Sequence, residues 1–282
     1  MINIRDMLPI IAVLLFIFGA GCLQTKESPV VSEPTQSTGH GAMLQLLDTV
    51  TIKIEESLLD IRKATSDAAI ALGTTGISGP EAASEQRKVM TTHPAILTVI
   101  TYDVNGTVLS AEPDDAKVLL GQSINDQETV QQALTTKEPF MSDLFTLAQG
   151  GEAVVIVYPV FSTAGKFTGV ISTAFSPCEL IAPIAGDAAH GTPYTFMVAQ
   201  PHGRILYDPD PEEVGKETFN ETLYAEFPEI VDLARQYSGN RSGYDTYSFY
   251  STGSSEVVRK ETFWSTVGLF GAEWRVFVIG EV

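Results

Sequence analysis

Basic residues, cysteines and catalytic signatures are all scarce in this chain. Lys and Arg number 17 against 35 Asp and Glu, a formal charge of −18 at pH 7. No basic stripe occurs anywhere, and phosphate contacts need clustered Lys and Arg, so a nucleic-acid partner is excluded. Two cysteines, Cys22 and Cys178, cannot build a disulfide framework. Cys178 reads as a buried, inert helix residue, because no histidine has a recognisable spacing to it. His40, His93, His190 and His202 read as surface residues. HExxH, GxSxG, SxxK, Walker and GxGxxG patterns are all missing, so no catalytic residue, metal site or cofactor is expected. Asp208-Pro-Asp-Pro-Glu-Glu213 resembles a calcium loop only superficially. Its alternating prolines and missing central glycine break that spacing, and it reads as a solvated turn.

A long apolar run is missing as well. The run from Met7 to Ala20 covers 14 residues, whereas a membrane span usually needs ~20. Arg5 before it and Gly19-Ala-Gly-Cys22 after it fit an export leader, residues 1–22. Gly-Ala-Gly-Cys is similar to a lipoprotein cleavage box, although Leu usually stands where Gly19 does. Cys22 is therefore the expected lipid anchor, with an uncleaved anchor helix as the alternative. Either leader places the body outside the membrane, on the outer surface of the cell. Residues 23–42, rich in Ser, Thr, Pro and Gln, read as a flexible tether.

What is present is a repeat. Ile100-Thr-Tyr-Asp-Val-Asn-Gly-Thr-Val-Leu-Ser-Ala-Glu-Pro-Asp114 recurs as Phe196-Met-Val-Ala-Gln-Pro-His-Gly-Arg-Ile-Leu-Tyr-Asp-Pro-Asp210. Each copy reads as strand, tight turn, strand, then a Pro-Asp turn. The turn glycines Gly106 and Gly203 lie 97 residues apart, the size of a small domain and not of a solenoid repeat. Two further β-rich pairs, turning at Ala164-Gly165 and Phe270-Gly271, close the two copies at 154–175 and 257–279. A hairpin, a helical middle and a closing hairpin give an α+β, PAS-like layout with antiparallel sheets.

Helices fit around these hairpins. Leu44, Leu47, Ile54, Leu58, Ile61, Ala68 and Leu72 keep a helical spacing, which predicts one long helix over 43–72, stopped by Gly73 and Gly76. Pro80 opens a second helix that ends near His93-Pro94. Asp126 to Thr136 and Pro228 to Tyr237 complete the set. The boundaries that follow are 43–92 for the helical N-terminus, 93–185 for a membrane-distal module and 186–282 for a membrane-proximal one.

The order of these features resembles the double Cache (dCache) extracytoplasmic sensor domains. It consists of a long helix, strand-Asn-Gly-strand, Pro139-Phe-Met-Ser-Asp-Leu-Phe145, Val157-Tyr-Pro-Val-Phe161, Gly165-Lys-Phe-Thr-Gly-Val-Ile-Ser172, a second strand-turn-strand, and Trp274-Arg-Val-Phe-Val278. The resemblance covers roughly Met43 to Val282. It implies two tandem modules packed along the long helix, and a non-catalytic protein that binds a small-molecule ligand in the distal module. On this sequence it implicates Tyr102, Met141, Ser142, Asp143, Phe145, Tyr158, Ser172 and Thr173 as ligand contacts. No Arg lies between Arg87 and Arg204, so the bidentate carboxylate clamp used on free amino acids has no counterpart in the first module. A neutral or cationic molecule held by Asp143 and aromatics is expected instead. No kinase, cyclase or methyl-accepting region is recognised, so the expected signal passes to a partner signalling protein. The alternative is a solute-binding lipoprotein that delivers a metabolite to a transporter, for which parallel, hinge-linked lobes are expected.

Overall fold

The computed structural model describes residues 35–147 and 151–282. Its organising element is a helix, α1 (Thr35–Thr75), of 41 residues, ~60 Å long at 1.5 Å per residue. One stripe of it is buried without a break: Met43, Leu47, Val50, Ile54, Leu58, Ile61, Thr65, Ala68 and Leu72. Leu44, assigned to that stripe from sequence, is instead 44% exposed, because Met43 and Val50 hold the 3-4 phase. The only polar member, Thr65, donates to the Ile61 carbonyl at 2.9 Å and meets the Thr173 hydroxyl at 2.8 Å.

The helix extends beyond its expected bounds at both ends. It starts eight residues before Met43, within the stretch read as a tether. His40 helps fix this first part, since its Nε2 lies 2.7 Å from Glu261 Oε2 and its ring packs edge-on against Phe263. It is thus a packed residue and not a tether residue. At the other end the helix passes through Gly73, and the stop falls at Gly76, whose φ of +95° suits glycine. Gly73 serves a close approach, because a Cβ there would lie 2.3 Å from the Phe161 carbonyl oxygen. The leader, including Cys22, lies outside the described residues.

Two antiparallel sheets sit side by side along α1. The sheet of the first module, labelled distal after the place the resemblance implies, has strand order β2-β1-β6-β5-β3, with β4 also paired to β5. Its strands are β1 (Ile96–Asp103), β2 (Val108–Glu112), β3 (Phe140–Met141), β4 (Phe145–Thr146), β5 (Glu152–Phe161) and β6 (Phe167–Phe175). The proximal sheet has order β8-β7-β11-β10-β9, formed by β7 (Thr195–Ala199), β8 (Ile205–Tyr207), β9 (Gly243–Tyr250), β10 (Val257–Leu269) and β11 (Ala272–Glu281). The two orders are the same once the repeat is overlaid: β7, β8, β10 and β11 stand where β1, β2, β5 and β6 stand. The fold is therefore α+β with tandem PAS-like modules, as the repeat predicts.

Each sheet is covered on both faces. One face of both sheets packs on α1, and with α2 (Gly79–Met90) and α4 (Pro177–Ala189) it makes a single core running through both modules. The outer face of the distal sheet carries α3 (Glu128–Thr136). The outer face of the proximal sheet carries α5 (Pro228–Gly239). Strands buried on both faces explain the near-continuous apolar runs in β5, β6 and β11. Cys178 lies in the first turn of α4, half-buried, and burial followed by the Glu179 charge pushes its thiol upward, as suits an inert residue.

Candidate functional site

Between the outer face of the distal sheet and α3 lies a cavity of about 850 Å³. Strand alternation decides which side chains reach it. Thr98, Ile100 and Tyr102 of β1, Val155 and Val157 of β5, and Ser172 and Ala174 of β6 all face it. Of the eight contacts expected from sequence, Tyr102, Met141, Ser142, Asp143, Phe145 and Ser172 line this cavity. Two do not. Thr173 follows Ser172 on one strand and must point the other way, where it bonds to Thr65 of α1. Tyr158 is likewise on the α1 face, and its ring meets Phe270 edge-on at 5.9 Å.

The lining residues differ in what they offer. The Ser142 hydroxyl accepts from the Val155 amide at 3.0 Å and donates to the Asp143 carbonyl at 2.7 Å, so it is occupied in holding the β3–β5 edge. The Tyr102 and Ser172 hydroxyls face the cavity with no protein partner among the described residues. Burial raises the Tyr102 phenol above its ordinary range, so it stays a neutral donor. Phe140 and Phe145 add apolar wall, while Asp126, Glu128 and Asp143 place three carboxylates around it. Among the described residues no Lys or Arg lines the cavity. An acidic mouth on an aromatic, hydroxyl-bearing pocket attracts cations and repels free carboxylates.

Sequence reasoning missed the contribution of the proximal module. Phe270, Gly271 and Ala272, at the tip of the β10–β11 hairpin, complete the cavity wall. Phe270 takes the left-handed conformation there, with φ +55°. Beside this tip, Gln200 at the β7–β8 turn donates to Asp143 Oδ1 at 2.7 Å and accepts from the Leu144 amide at 3.4 Å. Arg204 then pairs with Glu152 of β5 at 2.7 Å. Nothing local in the sequence signals such contacts, which depend on how the two modules meet. Among the described residues no group of His, Cys, Asp and Glu is placed to hold a metal ion, and no helix is long and apolar enough to cross a membrane.

Comparison with known proteins agrees with this geometry. Residues 56–177 match the family model described as HK/GC/Chemotaxis protein-like, sensor domain. No curated protein sequence matches. Among solved structures, an extracellular ligand binding receptor from Desulfohalobium retbaense DSM5692 superposes with a TM-score of 0.71 at 23% identity, over 84% of this chain and 40% of that one. This chain thus spans less than half the length of that relative. The ligand binding domain of the Pseudomonas aeruginosa PAO1 amino acid chemoreceptor PctB, in complex with L-Gln, gives a TM-score of 0.61 at 14% identity, over 85% of this chain and 89% of that one. A protein titled methyl-accepting chemotaxis protein X gives 0.65 at 14% identity, over 88% and 99%. The fold is that of the double Cache type of sensor domain, as the order of motifs in the sequence implies.

Proposed function

We propose that this chain is an extracytoplasmic small-molecule sensor without catalytic activity, and that its distal cavity takes a neutral or cationic ligand. The observation that carries this is the composition of the cavity wall among the described residues: aromatic rings, hydroxyls such as those of Tyr102 and Ser172, and three carboxylates, with no basic side chain. A cation gains from both the carboxylates and the ring faces, whereas a free carboxylate would lie among like charges with no counter-ion. The L-Gln complex belongs to PctB; here the missing arginine argues for a different ligand. All strand pairings within both sheets are antiparallel, which favours sensing over hinge-driven delivery to a transporter. In this reading Cys22 or the leader holds the body at the outer membrane surface, modules 93–185 and 186–282 act in series, and the signal passes to a partner protein.

The test is a thermal-shift screen of the chain against amines, polyamines, sugars, purines, carboxylates and amino acids. A ligand at 100 times its Kd adds ~2.7 kcal/mol, worth several degrees in a domain of this size. Hits confined to amines or neutral compounds support the reading. Hits confined to simple carboxylates overturn it.

A further inference from the structure

The proximal module has a cavity of its own, of about 470 Å³, between its sheet and the segment leading into α5. Met197, Ile205, Ile230 and Ile279 supply apolar wall, and Tyr247 and Phe249 add aromatic wall. Charged groups also face it: Lys260 against the acids Asp208, Asp210, Glu212 and Glu213. Asp208 opens the Asp-Pro-Asp-Pro segment, which is a largely exposed turn as the sequence predicts, but Asp208 itself is half-buried and faces the cavity.

Lys260 is only 6% exposed, yet it forms no ion pair or hydrogen bond among the described residues. Its ammonium lies 6.0 Å from the centroid of the Phe249 ring. Asp208 and Glu281 act on it only through space. Among the described residues Asp208 accepts one bond, from the Asp210 amide at 2.9 Å, and has no cationic partner. Of the other acids at the cavity, Glu213 is satisfied by Lys216 at 2.7 Å and by the Tyr224 hydroxyl at 3.0 Å, Asp210 accepts from the Glu212 amide at 3.0 Å, and Glu212 is exposed. A buried charge without a partner is costly, and an unpaired buried ammonium and an unpaired half-buried carboxylate lining one cavity suit a ligand that carries a partner for each.

We propose that this cavity is a second ligand site, independent of the distal one, for a small zwitterion whose carboxylate pairs with Lys260 and whose ammonium pairs with Asp208. A carboxylate alone would leave Asp208 facing another anion, and an amine alone would leave Lys260 facing another cation. Only a molecule carrying both groups neutralises both, and the apolar walls suit a short carbon chain between or beside them. The protonation tendencies agree. Burial above all pushes the Asp208 carboxyl up to about 7 and pulls the Lys260 ammonium down, so each resists its charge until a partner arrives.

Methyl-labelled methionine in the full chain reports each cavity separately, since Met197 lines the proximal one and Met141 the distal one. The probes are β-alanine, 5-aminopentanoate, L-alanine and L-leucine, with pentanoate and pentylamine as single-charge controls. At least one zwitterion is expected to shift Met197 saturably, with an affinity at least tenfold above both controls and lowered at least tenfold in Lys260→Met. That variant replaces an unpartnered buried ammonium by an apolar side chain of similar length, so the fold is expected to persist, and an unchanged Met141 resonance verifies it. An unmoved Met197, equal binding of either control, or full affinity in Lys260→Met overturns the proposal. A shift at Met141 alone overturns it while leaving a distal ligand site standing.

Discussion

Gln200 of the proximal module donates to Asp143 on the rim of the distal cavity, at 2.7 Å. Within the repeat, Gln200 occupies the place of Asp103, whose carboxylate accepts from the amides of its own turn, Asn105 and Thr107, both at 2.9 Å. The same position thus closes a local turn in one module and joins the modules in the other.

That contact has a measurable energy. Gln200 is buried, so Gln200→Ala is expected to cost about 1–2 kcal/mol in denaturant unfolding. Asp143 is exposed, and a double-mutant cycle with Asp143→Ala is expected to show coupling of about 0.5–1 kcal/mol. Strict additivity of the two substitutions would show that the contact does not join the modules.

Two glycines of α1 are expected to respond in opposite ways to alanine. Helix propensity favours alanine by ~1 kcal/mol at either position. Gly41 has nothing within 4 Å of an added Cβ, so Gly41→Ala is expected to stabilise. At Gly73 the same atom would lie 2.3 Å from the Phe161 carbonyl oxygen, and pushing helix and strand apart outweighs the gain. Gly73→Ala is expected to lose about 1–3 kcal/mol, read from the unfolding midpoint.

The Asp208 carboxyl gives stability a definite pH dependence. Burial first, then Glu213 and Asp210, raise it from 3.8 to about 7 against the opposing Lys260 charge and the Asp210 amide. Between those values the native state binds more protons than the unfolded state, so this contribution to stability is present at low pH and is lost as pH rises through about 7. Asp208→Asn, which mimics the protonated form, is expected to match wild type below pH 4, to melt progressively higher than wild type as pH rises to about 7, and to keep that advantage at pH 8. Parallel melting curves across that range would contradict the assignment.

Arg275, only 3% exposed, gathers the end of α5: its Nε donates to the carbonyls of Tyr237 at 2.9 Å and Asn240 at 3.2 Å. Its Nη1 pairs with Glu273 at 2.8 Å. Arg275→Met leaves the Tyr237 carbonyl without this donor and is expected to cost about 2–4 kcal/mol. Lys is expected to recover only part of this, because a single ammonium cannot span the fork. Full recovery by Lys in thermal melts would argue against the forked geometry.

Local features of the sequence carried much of the fold. Asn105-Gly106 and Phe270-Gly271 mark turns by their own chemistry, and the α1 stripe shows in its spacing. The cavity was legible only in part. The resemblance implicates both Ser172 and Thr173, yet adjacent strand residues face opposite sides, and alternation alone rejects one of them. Phe270 and Gln200 carry no local signal of their roles, since these arise from how one module meets the other. Asp208 reads as part of a solvated turn, and nothing near Lys260 in the chain signals its burial, because the cavity both line is closed by α5 and the loop before it.

Blocking the distal cavity tests the central claim most directly. Val157 faces the empty space from the middle of β5, so Val157→Phe fills the cavity without crowding the α1 core. Calorimetric titration of a compound found by thermal shift should show saturable binding to the wild-type chain and at least a tenfold loss in Val157→Phe. Undiminished binding in that variant, with its fold intact, would contradict a sensor site in the distal module.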